Sequence, residues 1–182
     1  PGRTSGRLVA TEPGVVAGLD AATAVFDYLN CDSTPAVENG DEVDAGATLL
    51  EVSGRARDVL RGERTAANLV GHAAGVATRT RRAVRTARTA SESVRVAATR
   101  KTTPGLRGVE KRAVAAGGGD THRLTLSGLV MVKDNHVAEM GLEAAVESFR
   151  DRKSFATNLE VEVESPAAAV RAADAGADVV LL

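Results

Sequence analysis

The second half of the chain alternates strand-like and helical segments joined by short links, and this alternation constrains the fold more than any other feature. Runs rich in β-branched residues predict strands, and apolar residues spaced three or four positions apart predict helices. The strands are predicted at residues 94–100, 129–134, 159–164 and 177–182, and the helices at 109–117, 142–152 and 166–176. Such alternation favours a parallel sheet, either open or closed into a barrel.

The first half of the chain is organised differently. Residues 20–30 have helical spacing behind a predicted cap at Asp20, and residues 37–54 are typical of short strands joined by Asn-Gly and Ala-Gly turns. Residues 62–91 contain no proline and predict one long helix or two in tandem. We therefore expect a small mixed α/β layer followed by a helical stretch.

Composition limits the classes of partner. The net charge is −1, so the chain lacks the basic field that drives non-specific nucleic-acid binding. The five arginines of residues 78–88 are interpreted as a solvated helix face, with a nucleic-acid site as the alternative. No apolar run approaches the roughly 20 residues that span a bilayer, so no membrane partner is expected. A lone cysteine, Cys31, excludes an intrachain disulfide and fits a reducing cytoplasm.

The candidate site residues follow the predicted strands. Reacting groups in parallel βα folds gather where the strands end, because the loops converge there. Arg100 and Lys101 end the first predicted strand, Lys133 ends the second, and Glu162 lies near the end of the third. The glycine run of residues 117–119 precedes His122 and Arg123, and we expect its backbone N–H groups to approach an anion, with a simple turn as the alternative.

Lysine is scarce in this chain, which makes its positions informative. Of the 23 basic residues 19 are Arg and four are Lys, and three of those four lie in residues 100–136. A lysine ammonium suits a phosphate or a crowded pocket, whereas the arginine fork suits carboxylates. We therefore predict a site for both kinds of anion that uses Lys101 and Lys133, with ordinary surface lysines as the alternative. We interpret Lys111 and Lys153 as surface residues of helices.

The segment LEVEVE, residues 159–164, alternates acidic and apolar side chains. Period-two alternation places its three glutamates on one face of a strand and its valines on the other. A carboxylate in the interior of a sheet structure needs a cation or donors, so Glu162 is expected to meet a lysine, a divalent metal or a ribose hydroxyl. A solvent-facing edge strand is the alternative.

Five separated motifs together resemble one known family, the quinolinate phosphoribosyltransferases. The motifs lie at residues 62–84, 99–114, 117–124, 129–137 and 159–165, and they include TRKTTPGLR and KDNH. The resemblance implies phosphoribosyl transfer from phosphoribosyl pyrophosphate to quinolinate with decarboxylation, a step of NAD biosynthesis that gives nicotinate mononucleotide, pyrophosphate and carbon dioxide. It also implies that Mg²⁺ is required.

The resemblance further implies an architecture. It predicts an N-terminal α/β sandwich domain at residues 1–74 and the first part of an incomplete α/β barrel at residues 75–182, as in type II phosphoribosyltransferases. The family forms homodimers or higher homo-oligomers with shared active sites. Because the chain begins at Pro1 and ends on a strand-like segment, whereas the family motif continues with an aspartate and further strands, we expect it to be truncated at both ends.

Site residues are carried over from the family position by position. The resemblance implies that Arg64 reaches quinolinate from the partner subunit, that Lys101, Lys133 and Glu162 are catalytic, and that Glu162 lies by the ribose and the metal. The substrate-binding residues that it implies are Arg64, Thr99, Arg100, Lys101, His122, Arg123, Lys133 and Glu162. The family often has asparagine where this chain has Thr121, a change we expect to be tolerated.

Two rival interpretations remain from the sequence. One is a paralogue with the same scaffold and another anionic substrate, like the molybdenum-associated proteins that resemble this family. Arg64, Arg100, His122 and Arg123 together favour a dicarboxylate, with another anion as the alternative. A carrier module is suggested by residues 37–54, which resemble half of a biotinyl or lipoyl domain. The turn of that segment reads VDAG and has no lysine, so we interpret it as shared strand-turn geometry.

Overall fold

The computed structural model of the protein describes residues 2–182, which form two compact units. The first unit ends at His122, and the second spans Arg123–Leu182. Both units combine helices with sheets, which confirms the α/β fold class. No helix formed by the described residues is long and apolar enough to cross a membrane. The predicted domain boundary after residue 74 stays a prediction.

The first unit is built on a three-stranded antiparallel sheet. Its strands are β1 (Arg3–Val9), β3 (Asp32–Pro35) and β5 (Thr48–Arg55), in the order β1-β5-β3, and a small ribbon pairs β2 (Gly14–Val15) with β4 (Glu42–Val43). In the central strand Leu50 and Val52 are buried while Glu51 is exposed, as expected for a sheet with one face on the core. The predicted strands of residues 37–54 are therefore confirmed as β4 and β5.

Two helices cover the buried face of this sheet, α1 (Leu19–Tyr28) and α2 (Ala56–Arg88). The predicted cap at Asp20 is wrong: α1 begins after Gly18, whose φ is 86°, and Asp20 lies in the first turn. A side chain at Gly18 would bring its Cβ within 2.9 Å of Ala73 Cβ on α2. Glycine is therefore required there both for its backbone conformation and for the close approach of α2.

The long helix α2 is a single helix of 33 residues and carries the arginine run. Arg79, Arg82 and Arg85 are exposed, which agrees with a solvated face. Arg81 is different, because it donates to the carbonyl oxygens of Ala116 and Gly117, each at 3.0 Å, and to Glu42 at 2.8 Å. One arginine of the run thus holds the end of another helix in place.

That other helix is α3 (Arg107–Ala116), and the segment before it is where prediction and structure differ most. Residues 94–100 were predicted as a strand, which is wrong: they form only an isolated parallel bridge between Ala97 and Asp120. The physical reason is the segment that lies opposite. Asp120 directly follows the glycine run, which turns at the end of α3, so this segment offers residues 94–100 one residue of extended backbone instead of a strand.

The second unit contains a parallel sheet. Its strands are β6 (Val130–Val132), β7 (Leu159–Glu162) and β8 (Val179–Leu181) in the order β6-β7-β8. Its helices are α4 (Asp134–Met140), α5 (Leu142–Arg152) and α6 (Pro166–Asp174), preceded by a 3-10 turn at Leu126–Gly128. The predicted parallel sheet is confirmed, and in the described residues it is open. The helix α4 was not predicted.

The interior of the second unit explains why β7 is central. Val132, Leu159 and Val161 are completely buried and pack with Ala145 and Val146 of α5. Because β6 and β8 flank β7, the alternative of a solvent-facing edge strand for residues 159–164 is excluded. The middle strand β7 therefore has a neighbour on each side, and its last residue, Glu162, lies at the carboxyl edge of the sheet.

Candidate active site

Lys133 and Glu162 meet at the carboxyl edge of the parallel sheet. Val132 is in register with Val161, so the next residue of each chain segment, Lys133 and Glu162, lies just where β6 and β7 end. Nζ of Lys133 donates to Oε2 of Glu162 at 3.0 Å, and the side chains are 45% and 44% exposed. Of the three partners expected for Glu162, a lysine is the one that the structure shows, and the pair is open to a ligand.

The KDNH motif fixes the backbone of Lys133. The Lys133 N–H donates to Nδ1 of His136 at 3.1 Å, and Lys133 precedes the first residue of α4. The His136 ring in turn packs against Phe149 of α5 with ring centroids 5.1 Å apart. Because the accepting nitrogen lacks a proton, the ring is held as the tautomer protonated at Nε2. His136 thus holds the backbone of Lys133, whose ammonium group donates to Glu162.

Glu160 lies one pleat before Glu162 on β7 and is buried, with 4% of its surface exposed. It is in register with Met131 of β6, whereas Val161 between the two glutamates points to the helices. The predicted sharing of one face by Glu160 and Glu162 therefore matches the alternation of the strand. Glu164 lies beyond the strand and is exposed.

In the first unit, Thr99, Arg100 and Lys101 lie together on an irregular segment before α3. Oγ1 of Thr99 accepts a hydrogen bond from the Lys101 N–H at 3.1 Å, and the Thr102 hydroxyl donates to the Arg100 carbonyl at 3.4 Å. Thr99 and Lys101 are exposed and Arg100 is half-buried. Two of the three side chains are therefore in position to meet a ligand from solvent.

Lys111 was predicted to be a surface residue, and this is wrong. It lies on α3 with only 4% of its surface exposed. Its ammonium group donates to the carbonyl oxygens of Thr121 and, at 3.5 Å, Ala98. These carbonyls belong to the two segments that lead into Arg100 and His122. The signal that would have found Lys111 is the scarcity of lysine itself, applied to all four lysines.

The glycine run does not offer its N–H groups to an anion, contrary to expectation. The N–H groups of Gly117, Gly118 and Gly119 donate to the carbonyl oxygens of Ala113, Ala115 and Val114 at 2.8–3.0 Å. They thereby close the carboxyl end of α3. The run is a helix terminus that packs against α2, and the simple-turn alternative is the correct one.

His122 follows this turn with a positive φ of 51°, a conformation that few residues other than glycine adopt. Its N–H donates to Oδ1 of Asp120 at 2.9 Å, and Oδ2 of Asp120 lies 3.2 Å from Arg95. The carboxylate therefore maintains the left-handed turn at His122. Arg123, the next residue, is half-buried and begins the second unit.

Arg64 lies in the first third of α2 with its side chain exposed. The structure thus brings Lys133 and Glu162 together, places Thr99, Arg100 and Lys101 on one segment, and puts Arg64 on a separate helix face. The roles of all these residues stay predictions. The contacts that the sequence did not reveal are those of His136, Lys111 and Glu110, whose carboxylate binds the N–H of Thr103 at 3.2 Å.

Two family profiles match the chain. The profile of the quinolinate phosphoribosyl transferase N-terminal domain matches residues 2–74, and that of the C-terminal domain matches residues 76–182. A probable carboxylating nicotinate-nucleotide pyrophosphorylase of Methanothermobacter thermautotrophicus is 48% identical over 176 residues, which are 96% of this chain and 63% of that protein. The carboxylating nicotinate-nucleotide pyrophosphorylase of Homo sapiens is 45% identical over 182 residues, 100% of this chain and 61% of that protein.

A solved structure has the same fold. The crystal structure of NadC from Streptococcus pyogenes superposes with a TM-score of 0.91 at 39% identity, covering 100% of this chain and 65% of the other. The chain therefore spans somewhat less than two thirds of the length of these relatives. With both domain profiles matched in order along nearly all of its residues, the chain belongs to the quinolinate phosphoribosyl transferase family.

Proposed function

We propose that the full-length protein transfers the phosphoribosyl group of phosphoribosyl pyrophosphate to quinolinate, with release of pyrophosphate and carbon dioxide. The observation that carries this proposal is the solvent-open pair of Lys133 and Glu162 at the ends of two neighbouring parallel strands, in a chain of this family. The product would be nicotinate mononucleotide. The names of the relatives, which are carboxylating nicotinate-nucleotide pyrophosphorylases, support the same reaction.

The pair suits the charge that develops during the transfer. When pyrophosphate leaves C1 of the ribose, positive charge grows on the sugar and negative charge on the leaving group. Glu162 would stabilise the sugar, and the ammonium groups of Lys133 and Lys101 would stabilise the phosphates. In the free protein Lys133 and Glu162 neutralise each other, so neither charge is left unpaired before the substrate arrives.

The second substrate is a dicarboxylate, and the arginines suit it. Arg100, Arg123 and Arg64 each carry a planar fork that can bind a carboxylate through two hydrogen bonds, and His122 adds a further donor. Thr99 would help to position these side chains, because its Oγ1 accepts the Lys101 N–H within the same segment. We propose that these groups turn the ring nitrogen toward C1. After the transfer that nitrogen is cationic and can stabilise the carbanion left by decarboxylation.

Magnesium fits the residues at this edge. Mg²⁺ is usually bound by one or two carboxylates together with substrate phosphates, and Glu162 offers a carboxylate that is 44% exposed. Glu162 would hold the ion together with the phosphates of the substrate. When bound, Mg²⁺ supplies positive charge that stabilises the departing pyrophosphate. The residues of the chain, and not the ion, would orient the sugar and position Lys133.

A homodimer or higher homo-oligomer is the proposed assembly. Arg64 is exposed in the first third of α2, so a neighbouring subunit could receive its guanidinium group in a shared site. We also propose a reducing compartment such as the cytoplasm, which suits Cys31, a buried free thiol.

The test is release of pyrophosphate by the full-length protein with Mg²⁺, with quinolinate, nicotinate and nicotinamide offered separately. Release with quinolinate alone, matched by an equal amount of carbon dioxide, is the expected result. Release with nicotinate but not quinolinate would overturn the proposed substrate. No release with any acceptor, from protein shown to be folded, would move the function to a paralogue with another anionic substrate.

A further inference from the structure

The segment of residues 99–106 carries three predicted substrate contacts and has no regular secondary structure. The hydrogen bonds from Lys101 N–H to Thr99 and from Thr102 to the Arg100 carbonyl each join residues two positions apart. Such short-range bonds set the local shape of the segment. They do not determine where it lies relative to the rest of the unit.

Two side chains of α3 attach the segment to the folded unit. Nε of Arg107 donates to Oγ1 of Thr102 at 3.1 Å. The carboxylate of Glu110 accepts the N–H of Thr103 at 3.2 Å from Oε2 and 3.4 Å from Oε1. The bond to Glu110 restrains the main chain directly, and a hydrogen bond to an ionised acceptor is stronger than a neutral one.

Glu110 is itself held from a second helix. Nε2 of His72 on α2 lies 2.9 Å from Oε1 of Glu110. The glutamate side chain is only 12% exposed, so water competes little with either partner. Hydrogen bonding to Thr103 and to His72 outweighs burial and lowers the pKa of Glu110, which keeps the carboxylate ionised. A continuous set of contacts therefore runs from α2 through Glu110 to Thr103.

A simpler explanation is that Glu110 only stabilises its own helix. It lies in the first turn of α3, where an acidic side chain interacts favourably with the helix dipole. The contact with Thr103 goes beyond this, because Thr103 lies four residues before the helix begins and two after Lys101. Stabilising the helix requires the negative charge of Glu110, whereas holding Thr103 requires an acceptor oxygen at the right distance from the Thr103 N–H.

We propose that Glu110 is a positioning residue that holds the segment bearing Thr99, Arg100 and Lys101 in its substrate-binding conformation through the Thr103 N–H, with His72 fixing the carboxylate. The inference rests on the proposed function, in which this segment binds quinolinate and phosphate. Glu110 touches neither substrate. Its loss should weaken the binding of ground state and transition state alike, which raises KM and changes kcat little.

Three variants of the full-length protein separate charge from reach. Glu110→Gln keeps an oxygen acceptor for Thr103 at the same distance, and its amide NH₂ can donate to His72, so KM for quinolinate should stay near the wild-type value. Glu110→Asp keeps the charge but is one methylene shorter, and Glu110→Ala removes the acceptor. Both should raise KM about tenfold, the order expected when a hydrogen bond to the Thr103 N–H is lost. Glu147→Ala, at an exposed glutamate of α5, is the matched control.

Hydrogen exchange of the Thr103 amide gives a readout that does not depend on turnover. We expect exchange at residues 99–106 to accelerate about tenfold in Glu110→Ala and Glu110→Asp and to be unchanged in Glu110→Gln. Unchanged exchange and KM in the Asp and Ala variants would overturn the inference. So would a lower thermal midpoint with unchanged KM, or failure of all three variants to fold. An inactive wild type whose variants still show faster exchange would instead refute the proposed function.

Discussion

Nζ of Lys133 lies 3.0 Å from Oε2 of Glu162 where two parallel strands end, and the two side chains are 45% and 44% exposed. Water screens such a pair, so its contribution to the free energy of unfolding is about 0–1 kcal/mol. The pair can therefore be broken by a substrate at little cost. Under the proposed function, a phosphate would replace Glu162 as the partner of Lys133, and the carboxylate would then face the sugar.

Lys133→Ala should accordingly remove activity without unfolding the protein. Loss of a cation that stabilises the leaving group should reduce kcat by about 10²-fold or more, while the thermal midpoint stays near that of the wild type. Both are measured on the full-length protein, by pyrophosphate release and by circular dichroism. Arg152→Ala, at an exposed cation of α5, is the control and should retain wild-type turnover. An equal loss in both variants would contradict this assignment of Lys133.

Lys111→Met, in contrast to Lys133→Ala, should mainly lower the stability of the protein. Met has a similar length, but it leaves the carbonyl oxygens of Thr121 and Ala98 without the donor they have now. An unsatisfied buried acceptor costs about 1–3 kcal/mol, so the urea midpoint should fall clearly. Lys101→Met is the matched substitution at an exposed lysine and should leave the midpoint unchanged. Equal midpoints for the two variants would show that Lys111 is not needed for folding.

The lysines show how far the sequence could be interpreted. Their scarcity pointed to Lys133, and of the three partners expected for Glu162 the structure shows the lysine. The same scarcity was not applied to Lys111 and Lys153, because helical positions are usually solvated. In the structure Lys153 donates to the Thr157 carbonyl at 2.8 Å and lies 3.2 Å from Asp178. A compact ammonium group fits such narrow sites better than a guanidinium group.

Other differences have the same origin in tertiary context. The parallel sheet of the second unit was predictable because its strands and helices have clear periodicity. Residues 94–100 have β-branched residues but lack a strand to pair with, and α4 is stabilised by the contact between Lys133 and His136, which no periodicity reveals. The predicted approach of the glycine run to an anion is wrong because its N–H groups donate to carbonyl oxygens of α3, and a sequence does not show where an N–H group finds its acceptor.

Gly117→Ala should destabilise the first unit, although Gly117 has a right-handed helical backbone conformation that alanine adopts readily. A Cβ at Gly117 would lie 2.5 Å from the Ala77 carbonyl oxygen and 2.6 Å from Cβ of Thr80, both on α2. Overpacking of this kind costs about 1–3 kcal/mol. At Gly108, in the first turn of α3, an added Cβ meets nothing within 4 Å, so Gly108→Ala should instead gain up to about 0.5 kcal/mol. Urea unfolding of the two variants decides the matter, and a stable Gly117→Ala would show that α2 and α3 can separate.

Asp178 makes the stability of the second unit depend on pH in the acidic range. Its Oδ2 accepts the Leu159 N–H at 2.8 Å and lies 3.2 Å from Nζ of Lys153. The backbone hydrogen bond from Leu159 and the contact with Lys153 lower the pKa of Asp178 in the folded protein. A lowered folded-state pKa means that the stabilisation is complete above the unfolded value, about 3.9, and is lost as the pH falls through the folded value.

The difference in urea midpoint between wild type and Asp178→Asn should therefore be constant from about pH 5 to 7 and shrink below about pH 4. The asparagine variant cannot ionise, so only the wild type loses this contribution on acidification. Asp151→Asn, at an exposed aspartate of α5, controls for the general effect of removing a carboxylate and should follow the wild-type curve. If the urea midpoint of the wild type exceeds that of Asp178→Asn by as much at pH 3 as at pH 7, the charge on Asp178 does not contribute to holding β7 and β8 together.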